Sequence, residues 1–183
     1  MTYKSDCGFM SYGVGAGPHA VTSAGGYSYS YDLNGNMLSG KGKIMQYDVE
    51  NRLVQVNDSG AVSSFVYDGD GGRVKQTAGS LATTYIGSLY EVDSTGKITK
   101  HIFAGSNRVV TRDSTGAVYY YHSDHLGSSS IITNASGAQV QHLEYTPYGS
   151  IAVNEGTDAA KFKFTGKELD KSGLYFYGAR YYD

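Results

Sequence analysis

A chain of 183 residues is long enough for one domain with its own core, and 25 Gly, 18 Tyr, 2 Pro and no Trp argue for short strands and tight turns rather than helices. The formal charge of -2, with Lys and Arg scattered singly, offers no basic face to a phosphate backbone, so nucleic acid is not an expected partner. The single Cys7 excludes an internal disulfide and a cysteine-based zinc site, and no run approaches the roughly 20 apolar residues of a membrane-spanning helix.

Residues 1–25 are Gly-, Ser- and Ala-rich with little alternation, and Gly13-Val-Gly-Ala-Gly-Pro18 reads as a flexible leader, so order is expected to begin near Gly26 and a β domain to occupy 26–183. No basic segment followed by an apolar run opens the chain, which as written is expected to stay in the cytoplasm. Tyr27, Tyr29 and Tyr31 alternate with Ser28 and Ser30, as a strand with one aromatic face does, and a turn follows at Leu33-Asn-Gly-Asn36.

Farther on, one turn device recurs as Asn57-Asp-Ser-Gly-Ala-Val62, Asp93-Ser-Thr-Gly-Lys-Ile98, Asp113-Ser-Thr-Gly-Ala-Val118 and Asn134-Ala-Ser-Gly-Ala-Gln-Val140. In each, an Asx side chain can bond the backbone two residues on, and Gly can take the left-handed position before the return strand. Between the turns lie Leu53-Val-Gln-Val56, Ser64-Phe-Val-Tyr67, Thr83-Thr-Tyr-Ile86, Lys100-His-Ile-Phe103 and Arg108-Val-Val-Thr111. The spacing predicts about twelve to fifteen strands, an all-β fold of repeated antiparallel hairpins forming a curved strip or partial shell. No convincing helix is present; 158–161 could make one turn at most. A Tyr-Asp pair recurs as Tyr31-Asp32, Tyr47-Asp48 and Tyr67-Asp68, with Tyr90-Glu91 as a variant, which suggests one strand pair per repeat.

These repeats, together with Tyr121-His-Ser-Asp-His-Leu-Gly-Ser128, Tyr145-Thr-Pro-Tyr-Gly149 and Phe164-Thr-Gly-Lys-Glu-Leu-Asp170 through Arg180-Tyr-Tyr-Asp183, resemble the Rhs, or YD-repeat, family over residues 26–183. The resemblance implies a β-sheet strip spiralling into a hollow shell, which bacterial polymorphic toxins and insecticidal toxin complexes use to enclose a C-terminal toxin; related shells occur in animal adhesion receptors. It also implies a secreted or cell-surface setting and an enclosed polypeptide or carbohydrate. In the family, the core continues past the equivalent of Asp183 to a plug, an aspartyl self-cleavage site and a variable toxin, so neither cleavage nor toxicity is expected of the chain as written. At this length only part of a shell can form, and its open edges are expected to pair between copies as a homo-oligomer.

Several residues have the makings of a chemical site. His122 and Asp124, spaced by two on a strand, could share one face and serve as base and acid; the competing reading has them fasten a hairpin turn. Glu168 and Asp170, spaced likewise, are the paired carboxylates a glycosidase would need, or else the charges of a turn. Ser128, Ser129 and Ser130 follow Gly127 without a nucleophile elbow. Tyr119, Tyr121, Tyr175 and Tyr177 could stack on sugars, or pack across strands. No metal or cofactor is expected, since Asp68 and Asp70 fall short of a calcium shell. The leading expectation is a non-catalytic structural β-repeat segment of an Rhs-type shell. Behind it stand a small hydrolase with a groove at a subunit interface and a carbohydrate- or surface-binding module.

Overall fold

The structure is a computed structural model that describes residues 3–4, 8–13 and 17–183. Cys7 and the middle of the Gly13-to-Pro18 segment lie outside the described residues. The body is a 14-stranded antiparallel sheet in which every strand pairs with its sequence neighbours, from Ser30–Tyr31 at one edge to Ile151–Gly156 at the other. This is the all-β strip of hairpins that the turn spacing predicts. Among the described residues the helical content is one 3-10 turn, Phe164–Gly166, and no helix is long and apolar enough to cross a membrane. Strand pairing starts ahead of Gly26: Ser11–Tyr12, Val21–Ala24 and Tyr27–Ser28 form a separate three-stranded sheet.

One turn geometry recurs along the sheet. At Asp32, Asp48, Asp68, Asp93, Asp113, Asp124 and Asn134, a side-chain oxygen accepts the N–H groups two and four residues ahead, at 2.7 to 3.1 Å. The fourth residue takes positive φ, usually as Gly and once as Asn51 with φ of 61°. An Asx side chain thereby satisfies two N–H groups that the reversal removes from the ladder. The Asn57 turn is different in kind: Ser59 and Gly60 both have positive φ, and Asp58 pairs with Ala61 as in a two-residue hairpin. Tyr90-Glu91 also departs from the repeat, because Glu91 lies inside the Tyr90–Asp93 strand with its side chain buried, and the turn begins at Asp93.

After Gly156 the chain leaves the sheet and returns across one of its faces. Gln141, fully buried, directs the departure with all its side-chain capacity: its amide nitrogen donates to Asn154 Oδ1 and Asp158 Oδ1, and its oxygen accepts from the N–H of Ala159 and Ala160. The returning segment ends in a three-stranded sheet of Glu168–Leu169, Tyr175–Phe176 and Tyr181–Tyr182. Among the described residues, two apolar cores close beneath the returning segment, one under Leu174 and Tyr181 and the other under Ala160. Met45, Leu53, Val56, Phe65 and Leu174 form one, with Tyr47, Tyr67 and Tyr181 against it. Tyr121, Ile132, Leu143 and Ala160 form the other. Gly149 is required by both backbone and packing: its φ is 86°, and a Cβ there would sit 2.5 Å from the Phe164 ring.

The shared turn makes a direct expectation. Asp124→Asn should unfold within about 0.5 kcal/mol of the wild type, because Asn134 already holds the same turn, whereas Asp124→Ala should lose about 1 kcal/mol in urea denaturation. Equal midpoints for both variants would contradict the turn's role.

Candidate functional site

The stretch between the two cores is polar. Inward positions of the central strands carry Arg73, Gln76, Tyr85, Glu91, His101 and Thr111, most of them buried, and the returning segment lays Lys161, Glu168 and Asp170 over them. Arg73 grips both carboxylates: Nη2 lies 2.7 Å from Glu168 Oε2 and Nη1 lies 2.6 Å from Asp170 Oδ2. All three side chains are nearly inaccessible, at 2%, 6% and 0% exposure. Tyr85 donates to Glu168 Oε1 at 2.8 Å, and Lys161 Nζ bridges Glu168 Oε1 at 2.8 Å to Glu91 Oε2 at 2.6 Å. His101 places Nε2 3.7 Å from Glu91 Oε1 and Nδ1 3.1 Å from Thr111 Oγ1, which in turn donates to the Tyr121 hydroxyl.

Burial sets the proton affinities here. It pushes the Asp170 carboxyl up to about 6, against the pull of Arg73. Burial would also raise Glu91, but the His101 ring and the Lys161 ammonium outweigh it and hold that carboxyl at about 2. Arg73 stays charged, since the two carboxylates more than offset its desolvation.

Beside this network opens a cavity of about 540 Å³, lined by Tyr85, Glu91, Phe103, Arg108, Phe162 and Phe176 among others. Of the candidates read from sequence, Glu168 and Asp170 meet on Arg73. Asp124 heads its turn, and His122 is exposed and bonds Thr133 Oγ1 at 3.1 Å. Ser128 and Ser129 are buried and tie down the return: Ser129 Oγ donates to the Phe162 carbonyl, and Ser128 Oγ accepts from the Thr165 N–H. Tyr121 and Tyr175 are buried, Tyr119 packs against the second core, and Tyr177, partly exposed, pairs its hydroxyl with Thr165 Oγ1. Among the described residues no cluster of His, Cys, Asp and Glu is arranged to hold a metal.

Sequence reasoning missed Arg73, Glu91 and Lys161. The available signal was a charged side chain at the inward register of a strand, as Glu91 is between Tyr90 and Val92.

The family model described as Teneurin YD-shell matches residues 21–183. The tRNA nuclease WapA of Bacillus subtilis strain 168 is 29% identical over 177 residues, 89% of this chain and 8% of that protein. The toxin subunit YenC1 of Yersinia entomophaga is 39% identical over 69 residues, 34% of this chain and 7% of that protein. Among solved structures, a chain of the Photorhabdus luminescens Tc holotoxin pore superposes with a TM-score of 0.71 at 25% identity, covering 84% of this chain and 9% of that one. The chain thus spans less than a tenth of the length of these relatives.

Breaking the grip on the two carboxylates should be costly. Arg73→Met strands both of them and is expected to lose about 3–5 kcal/mol, much of it regained when Glu168→Gln and Asp170→Asn are added; urea midpoints of the single and triple variants decide. The pH dependence follows from Asp170, whose folded pKa lies above its ordinary 3.8. Its favourable contribution is present below about 4 and is lost as pH rises through about 6. Asp170→Asn should therefore flatten the fall in thermal midpoint between those values.

Proposed function

The chain belongs to the Teneurin YD-shell family, and from that premise we propose that it is a wall segment whose copies join at their sheet edges to enclose a polypeptide. It is a structural β-repeat segment of an Rhs-type shell, in line with the match over residues 21–183 and the likeness to the Tc toxin chain. The observation that carries the proposed joining is the last strand. Ile151–Gly156 pairs with Gln139–Tyr145 on one side and with no strand on the other among the described residues. Six residues of open ladder are a template for another strand.

The roles proposed for the singled-out residues follow from the same reading. Glu168 and Asp170 act as struts that fix the returning segment through Arg73, while Tyr119, Tyr121 and Tyr175 act in packing.

Sedimentation velocity tests the joining. The wild type is expected to sediment as an oligomer whose population rises with concentration. Ala152→Lys, which places a charge on the exposed edge, should shift it toward monomer with no change in circular dichroism. A wild type that stays monomeric at all concentrations would sink the proposal.

A further inference from the structure

The cation that the ionic network leaves out is the informative one. Arg73 is neutralised by Glu168 and Asp170, Lys161 by Glu91 and Glu168, and Lys163 by Asp158. Arg108, half-buried in the wall of the same cavity, makes no side-chain hydrogen bond and has no carboxylate within 4.0 Å among the described residues; its Nε is buried without a partner. Its guanidinium stacks on Phe162, with Cζ 3.1 Å from the ring centroid, and the Phe103 ring is 5.0 Å away. We propose that this cavity is a binding site for a carboxylate carried on a polypeptide, with Arg108 as the receiving group.

The chemistry selects the ligand class. A guanidinium drawn partly out of water with no carboxylate in contact pays a desolvation cost that a bound anion recovers. Desolvation draws its proton affinity down to about 10, which leaves it charged at neutral pH. Stacking on Phe162 holds the planar fork in place, so little side-chain entropy remains to be lost when two parallel N–H···O bonds form with a carboxylate. Glu91 and Glu168 line the same cavity, which favours a monoanion over a dianionic phosphate. About 540 Å³ is far more than acetate fills, and the aromatic walls of Phe103, Phe176 and Tyr177 suit the side chains flanking an acidic residue. That the carrier is a polypeptide rests on the shell reading; that it is a carboxylate rests on Arg108.

The full chain, labelled with nitrogen-15, gives a direct readout through the Nε–Hε resonance of Arg108. An acetylated, amidated Gly-Asp-Gly peptide should shift that resonance saturably, the Gly-Asn-Gly peptide should bind at least about tenfold more weakly, and free acetate should bind more weakly than the Asp peptide. Arg108→Gln should abolish the response, while Arg112→Gln, exposed on the same strand, should leave it intact. Equal titrations by the Asp and Asn peptides would overturn the carboxylate site, and acetate matching the Asp peptide would overturn the polypeptide assignment. The two wild-type comparisons decide even if Arg108→Gln does not fold. Neither depends on oligomeric state, so failure here and failure of edge pairing are separate results.

Discussion

The bond between Arg73 and the two carboxylates of the returning segment is the constraint on which the rest depends. A single antiparallel sheet has two faces, and one of them must be covered before a core exists. Here the cover comes from the same chain, and it meets the sheet over a stretch where apolar contact is missing. Three charges removed from water would ordinarily cost more than their attraction returns, unless geometry is good and the remaining lone pairs are satisfied. Tyr85, Tyr181 and Lys161 supply much of that satisfaction, and the apolar clusters on either side exclude water. The ionic centre fixes where the cover sits, and the flanking cores supply the apolar burial.

The turns show how one local device serves two purposes. At Asp124 the carboxylate is consumed by the N–H groups of Leu126 and Ser128. At Asp170 the backbone has the same shape, with the Asp170 N–H bonded to the Leu174 carbonyl and the Gly173 N–H to the Asp170 carbonyl. The side chain, however, has turned away: Oδ2 goes to Arg73 and Oδ1 is buried without a partner. An Asp that would have stabilised its own loop instead holds a sheet residue 97 positions distant. Gly173 at positive φ keeps the reversal tight enough without the side chain's help.

The strands and most turns were legible in the sequence because both are written in neighbouring residues: alternation for the strand, Asx and Gly at fixed offsets for the turn. The pair Glu168 and Asp170 was legible as a pair. Its partner was not, since nothing near Arg73 marks it as facing a segment almost a hundred positions on. Tyr90-Glu91 misled for a related reason. Dipeptide spacing cannot tell a side chain that caps a turn from one that points inward from a strand, and that distinction belongs to register. The strands ahead of Gly26 escaped notice because each is two to four residues long, too short to show an alternation.

The order in which the chain is made bears on the way its two cores close. Each hairpin of the sheet is a local contact and can form as soon as its two strands exist. Leu174 and Tyr181 complete one core and Ala160 the other, so the earlier strands are in place while their inner face is still open to solvent. On a ribosome, that interval is one of exposed Leu, Val and Phe on an unfinished sheet, the condition in which chains associate wrongly. The charged residues at the centre of that face keep it from being a continuous apolar surface during the wait, and they become a lock only when the last strands arrive.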